Sequence, residues 1–315
     1  MLSDLEKQRV RQFALEEGFL LCGFAKAGFL KEEATRLENW LSKGFHGKMG
    51  YLENHFDMRV DPRKLVPNAK TIISLAFNYF PEKIQNPESP KIAKYAYGKD
   101  YHFVLKEKLF KMVEWMQTQY GEFAFRVFVD SGPVLERAWG EKAGLGWIGK
   151  HGLLINKDHG SWFFLAEIIL DLEFSPDLPY TKDYCGTCNK CVEACPTEAI
   201  LPNKTLNASQ CISYLTIELK EQIPSTYKKD MNGWVFGCDI CQDVCPWTRF
   251  GKPHTEKEFE PKQELMQMNA NEWQELTQET FRYLFKKSAI KRAGFVKLKQ
   301  NIDLVENDKD WIVKR

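Results

Sequence analysis

Cys185-Gly186-Thr187-Cys188-Asn189-Lys190-Cys191-Val192-Glu193-Ala194-Cys195-Pro196 is the stretch on which the reading of this chain turns. Its spacing, Cys-x2-Cys-x2-Cys-x3-Cys-Pro, is that of a bacterial ferredoxin, in which three thiolates hold one four-iron cluster and the fourth reaches across to a second. A half-motif follows at Cys238-x2-Cys241-x3-Cys245-Pro246 and lacks its first cysteine. Each cluster needs four thiolates, and Cys211 is the other cysteine of the region. The spacing therefore assigns Cys185, Cys188, Cys191 and Cys245 to one 4Fe-4S cluster, and Cys195, Cys211, Cys238 and Cys241 to the other. A pair of zinc sites would also use Cys-x2-Cys, but zinc does not call for the whole run ending in proline. The ninth cysteine, Cys22, sits alone in an apolar stretch and reads as a buried structural thiol. Cysteines clustered in a chain without a signal segment point to metal ligation rather than disulfides.

Outward from this module, 315 residues at 43% hydrophobic content can bury one large core beside a smaller unit. The chain opens on a capping box, Ser3 with Glu6, and holds no run near the roughly 18 apolar residues of a membrane span, so a soluble cytoplasmic protein is expected. A formal net charge of +1 gives no footprint for nucleic acid, which must come from local clustering. Ser175-Pro176 and Pro179 mark a linker. Three units are expected: an α/β domain over 1–175, a two-cluster ferredoxin-like domain over 176–250 and a helical region over 251–315, in an α+β or mixed α/β fold. Residues 1–44 read as two helices, with Leu5, Phe13 and Ala14 on one inner face, Leu37, Trp40 and Leu41 on the other, and a stop at Gly44. Thr71–Phe80 reads as a buried strand, and Leu105, Leu109, Met112, Val113 and Met116 mark the inner face of a helix over 102–120. Phe123, Phe125, Val127 and Val129 alternate as a strand that stops at Asp130-Ser131-Gly132-Pro133. Leu153–Asn156 and Ser161–Leu172 read as a hairpin about a turn at Lys157–Gly160.

Weaker signals carry bland alternatives. Gly144-x-Gly146-x-x-Gly149 matches the dinucleotide fingerprint in letters, but it leads from helix to strand instead of strand to helix. Its glycines would still let backbone approach a flat ligand closely. Asp100-x-His102 begins the cobalamin-histidine motif, whose glycine would fall at Leu105, so a histidine-ligated corrin is not supported. No Gly-x-Ser-x-Gly, Walker loop or His-Glu-x-x-His is present, which disfavours serine hydrolase, NTPase and zincin chemistry. Asp130 can be a turn builder or a site residue at a strand's carboxyl end; both readings stay open.

The segments Phe128-Val129-Asp130-Ser131-Gly132-Pro133-Val134-Leu135-Glu136-Arg137 and Glu141-Lys142-Ala143-Gly144-Leu145-Gly146-Trp147-Ile148-Gly149-Lys150-His151 closely resemble the epoxyqueuosine reductase family. So do Tyr97-Gly98-Lys99-Asp100-Tyr101-His102, Arg59-Val60-Asp61-Pro62, Cys211–Glu218 and the spaced cysteines, and the resemblance runs from about residue 10 to about 305. It implies a reductase that converts epoxyqueuosine to queuosine at the wobble position of tRNAs for tyrosine, histidine, asparagine and aspartate. The core would resemble nitroreductases and reductive dehalogenases and hold cobalamin base-off, without a protein histidine ligand. The two clusters would feed electrons singly to make cob(I)alamin, and Asp130 would be the general acid, its pKa raised beside the corrin. The same resemblance places Asp100, Tyr101, His102 and Arg137 in the substrate pocket. It places Arg59, Asp130, Lys150, His151, Leu154, Leu165 and Ile212 near cobalamin. Some relatives carry a helical-repeat extension after the core, and this chain, which stops at Arg315, is expected to work without one. The tRNA would then be gripped by the core and basic tail, with Lys286, Lys287, Lys291 and Arg292, and more weakly Lys220, as phosphate contacts or else a solvated face. A monomer served by an external low-potential donor, such as ferredoxin or flavodoxin, is expected. The competing readings are a reductive dehalogenase-like enzyme, typically exported on a twin-arginine signal absent here, and a ferredoxin-type carrier, which needs no large α/β domain.

Overall fold

The computed structural model describes residues 2–306. The first part of the chain forms α1 (Asp4–Glu16), β1 (Leu21–Lys26), α2 (Lys31–Ser42), α3 (Phe56–Val60), β2 (Thr71–Asn78), β3 (Lys91–Ile92), α4 (Tyr101–Tyr120), β4 (Phe125–Phe128), α5 (Glu136–Lys142), β5 (Trp147–Ile148), β6 (Leu154–Ile155) and β7 (Phe163–Leu170). The cysteine region adds α6 (Lys190–Ala194), β8 (Ile200–Leu201), β9 (Thr205–Leu206), α7 (Ile212–Ile217), β10 (Trp234–Phe236) and α8 (Ile240–Asp243). Helices α9 (Gln263–Gln267), α10 (Ala270–Gln274), α11 (Gln278–Phe285) and α12 (Phe295–Glu306) close the described chain.

The main sheet has the order β1-β2-β7-β4, and every neighbouring pair is antiparallel. Its two central strands are buried on both faces, which is why they read as nearly continuous apolar runs. Alternation along β2 sends Ile73, Leu75 and Phe77 to the core under α1 and α4, and Ile72 and Ala76 to the core under α5. The inner face expected for α4 is buried throughout.

Three expectations change. The stretch after α1 holds a strand: β1 pairs with β2 along its whole length. Leu5 is 62% exposed, and Val10 and Ala14 face the core from α1 instead. The expected hairpin does not form as such. β6 turns back on β5, while β7 crosses into the sheet centre, and only the Asn156–Gly160 bridge remains of the turn. A strand apolar on both faces is satisfied there and not in a two-stranded ribbon. The glycine loop, finally, is tight against its own chain: a Cβ on Gly146 would lie 2.0 Å from the Ile155 carbonyl oxygen, and one on Gly149 2.5 Å from Ile155 Cδ1. The close approach those glycines permit here is to β6.

Packing also joins what the linker separates. One core contains Ile92, Ala93 and Ala96 from the first unit, Ile212, Leu215, Val235 and Phe236 from the cysteine region, and Leu284, Phe285, Leu298 and Ile302 from the last helices. β3 pairs in parallel with β10 across the same boundary. This shared core fixes the cysteine region against the start of α4.

Candidate active site

Asp130 follows β4 with φ at +55°, a left-handed conformation rarely adopted outside glycine, asparagine and aspartate. Its N–H donates to Glu136 Oε1 at 2.5 Å. Its Oδ2 accepts from Tyr101 Oη at 2.8 Å and lies 3.4 Å from His102 Nε2. The other imidazole nitrogen, His102 Nδ1, meets Asp100 Oδ1 at 2.7 Å. That places an imidazole between two carboxylates. Sequence explains the arrangement: Asp100 caps α4 by accepting the His102 N–H, which delivers Tyr101 and His102 together from the first turn. The Tyr101 ring is held flat on Phe164 of β7, centroids 4.0 Å apart and planes at 5°.

These contacts decide where the proton rests. Burial alone would raise Asp130, but hydrogen bonds from His102 and Tyr101 outweigh it and hold the carboxyl below its ordinary range. Burial likewise works against a charged His102, yet Asp100 and Asp130 together raise it to about 9. Tyr101 goes well above its ordinary value through burial and the Asp130 charge. In the protein alone, then, Asp130 is an anion at neutral pH and the proton sits on His102. The raised Asp130 expected beside a corrin is not the state of the open site.

Asp130, with its side chain 52% exposed, lies with Glu136 and Arg137 where water reaches the side chains although chain surrounds them on most sides. Accessible but enclosed groups mark a cleft. Arg137 Nη1 bonds the Gly152 carbonyl, bracing the 149–152 loop at its edge. Leu165 is the one partly exposed residue of β7 and lies beside Gly140 of α5. The other positions expected near a corrin have these places in the fold. Leu154 and Ile212 are interior, and Arg59 is buried with its guanidinium on the Tyr51 and Asn54 carbonyls. Lys150 Nζ bonds the Gly186 and Cys188 carbonyls and Asn189, so with His151 it borders the cysteines.

The eight clustered cysteines gather as two sets of four. Cys185, Cys188, Cys191 and Cys245 line a cavity of about 240 Å³ with Tyr184 and Trp247. Cys211 lies against Cys195, and Cys241 against Cys211 and Cys195, with Cys238 beside Cys211 and Cys241. Cys191 is near Cys241, so the two sets adjoin. Around this space the sulfurs do not converge as the donors of one ion: among the described residues, no three His, Cys, Asp or Glu side chains form a mononuclear site. Buried His151 Nε2 has no partner although Nδ1 accepts the Leu153 N–H, which leaves a donor at the first cavity that cluster sulfur could accept. Backbone N–H groups of Ser213 and Tyr214 point at Cys211, and those of Trp247 and Thr248 at Cys245. Such bonds favour thiolates and tune a cluster.

At the cleft mouth, Arg292 pairs with both oxygens of Glu218, at 2.8 and 3.0 Å, close to Tyr51 and within electrostatic reach of Asp130. Lys286, Lys287 and Lys291 are exposed beside it, and the Lys287 carbonyl accepts the Asp100 N–H. Lys220 is exposed as well, with Nζ on the Ile217 carbonyl. Sequence reasoning gave no role to two carboxyls here, Glu136 and Glu167. The signal for Glu167 was available: a carboxylate inside the apolar run of β7, where it is fully buried.

Two family models match the chain, "Epoxyqueuosine reductase QueG, DUF1730" over residues 59–131 and "4Fe-4S double cluster binding domain" over residues 184–248. An epoxyqueuosine reductase of Cyclobacterium marinum is 55% identical over 98% of this chain and 99% of its own. The chain belongs to the epoxyqueuosine reductase family. Two solved epoxyqueuosine reductases superpose on it, both 29% identical over 97% of this chain and 82% of theirs: one with an epoxyqueuosine-modified tyrosine tRNA stem loop, at a TM-score of 0.89, and one from Bacillus subtilis with its catalytic aspartate loop swung out of the active site, at 0.88. The epoxyqueuosine reductase model spans Arg59, the Asp100-Tyr101-His102 start of α4 and Asp130. Membership of this family sets aside the dehalogenase and electron-carrier readings.

Proposed function

We propose that this chain reduces the epoxide of epoxyqueuosine, at the wobble position of tRNA, to the alkene of queuosine, and that Asp130 delivers a proton to the epoxide oxygen. The observation that carries the reading is the Asp100–His102–Asp130 chain at the wall of a cleft whose mouth is basic. Removing an epoxide oxygen as water takes two electrons and two protons. The two sets of cysteines would hold 4Fe-4S clusters that carry the electrons singly. Cobalamin bound in the cleft would supply the electron pair to the epoxide carbon. Leu165 and the walls around Asp130 and Arg137 would face it, and both nitrogens of His102 are already committed to carboxylates, which supports a corrin without that ligand.

Each protein group then has a task. Tyr101 fixes one oxygen of Asp130, and His102, charged between Asp100 and Asp130, is the cationic store from which the Asp130 carboxylate regains a proton. Lys286, Lys287 and Lys291 would meet anticodon-stem phosphates, with Arg292 at the entrance and Lys220 further off. Electrons would come from an external low-potential donor of ferredoxin or flavodoxin type. No helix among the described residues is long and apolar enough to cross a membrane, and a cytoplasmic monomer suits a tRNA substrate. The test is to load the protein anaerobically with iron, sulfide and cobalamin and to give it an epoxyqueuosine-containing tRNA stem loop and a reductant. Mass spectrometry should show loss of one oxygen, dependent on cobalamin. A fully loaded protein that leaves the epoxide intact would overturn the proposal.

A further inference from the structure

Asp130 needs a restraint, because a left-handed aspartate at a strand end is free to relax. Its N–H reaches across the turn and ends on Glu136 Oε1 at 2.5 Å. Glu136 is well placed to hold it. It opens α5, whose Ala138, Trp139 and Gly140 are buried, so the acceptor stands on a fixed element. Gly132 seats the loop between them so closely on Phe128 that a Cβ would fall 2.2 Å from that ring.

Behind Glu136 stands Glu167, fully buried in β7, opposite Ser74 of β2 and Phe128 of β4. Both oxygens of Glu167 and the Ser74 hydroxyl lack partners at ordinary hydrogen-bond geometry, and the Glu167 carboxyl faces that of Glu136. Two carboxyls so placed cannot both ionise beside Asp130. Burial and the Asp130 charge push Glu136 up to about 8, and burial with the neighbouring Glu136 pushes Glu167 well above its ordinary value, while Arg137 is the facing cation. A protonated pair can sit next to an ionised Asp130 without driving it away. In the Bacillus subtilis relative, the catalytic aspartate loop is found swung out, so the loop of that protein has more than one position.

We infer that Glu136 is a positioning residue: its carboxyl oxygen latches the Asp130 loop into the cleft through the Asp130 N–H. The inference rests on Asp130 as the acid, so Asp130→Asn is measured beside it. In the cluster- and cobalamin-loaded enzyme, Glu136→Ala should lower kcat about 10- to 100-fold, the scale of a misplaced catalytic group, with KM within about threefold. Hydrogen exchange across residues 129–133 should speed up in the same variant. Glu136→Gln keeps the acceptor oxygen and should restore both kcat and slow exchange to within about threefold of wild type. Wild-type kcat and exchange in Glu136→Ala, with Asp130→Asn inactive, would overturn the latch alone. Glu136→Gln as damaged as Glu136→Ala would also overturn it. An active Asp130→Asn would instead defeat the acid assignment and the latch with it.

Discussion

At the scale of single residues, the site is a question of who holds the proton. His102, held between Asp100 and Asp130, titrates near 9 in the folded chain against 6.5 ordinarily. Its pairing therefore contributes stability that is fully present below about pH 6.5 and is lost as pH rises through about 9. A parallel fall is expected in kcat/KM of the free enzyme, because the store that recharges Asp130 empties over the same range. Replacing His102 by Gln should remove this limb of both profiles, and an unchanged alkaline limb in that variant would show that another group sets it. Gly146→Val is a second residue-scale case. The new side chain would meet the Ile155 carbonyl, a backbone atom that cannot step aside, so a loss of about 1–3 kcal/mol in unfolding free energy is expected. A weaker affinity for corrin with unchanged stability would instead restore the ligand-contact reading of the loop. Sequence showed where Asp130 lies but not its electrostatics, since the lowering of its pKa comes from Tyr101 and His102, 29 and 28 positions away. Glu167 stood out as a carboxylate in an apolar run, but its place under the Asp130 loop was hidden for a similar reason, since the register of β7 between β2 and β4 sets it.

Among the elements, α4 was legible because it carries one period over its whole length, and β2 because it is a nearly unbroken apolar and β-branched run stopped by Pro81. β1 was not. Leu21–Lys26 is short, follows a helix directly and owes its extended form to pairing with β2, a long-range interaction that no local pattern states. The same cause misplaced β7, whose partners lie about 90 and 40 residues upstream. The α11 region makes its own prediction. Lys286, Lys287 and Lys291 are exposed next to the carbonyl that caps Asp100, so reversing their charges should weaken tRNA binding and reduce the slope of log affinity against log salt by about 1 for each phosphate no longer neutralised. Arg292 belongs in a separate variant, because reversal there sets a like charge against Glu218 and disturbs the mouth itself. A salt slope unmoved by the three lysine reversals would place the tRNA surface elsewhere.

Over the whole molecule, the cysteine spacing announced the redox half, while the core shared by residues 92–97, the cysteine region and the last helices could not be read from composition. That core is what sets the cysteines beside the cleft. Loaded protein should carry about eight irons, two four-iron clusters per chain. Cys211→Ala should cost one cluster, leaving about four irons and the spectrum of the other, because Cys211 lies with Cys195 and Cys241 and not with Cys185. Two intact clusters in that variant would undo the ligand sets. The most direct test of the central claim is single-turnover reduction of epoxyqueuosine-containing tRNA by Asp130→Asn, with cobalamin reduced chemically so that the clusters are bypassed. Asparagine keeps the shape and tolerates the left-handed backbone but has no acidic proton. The account predicts intact clusters, intact cobalamin binding and turnover slowed by about 100- to 10,000-fold; turnover close to wild type would contradict it and leave Asp130 a residue that only builds a turn.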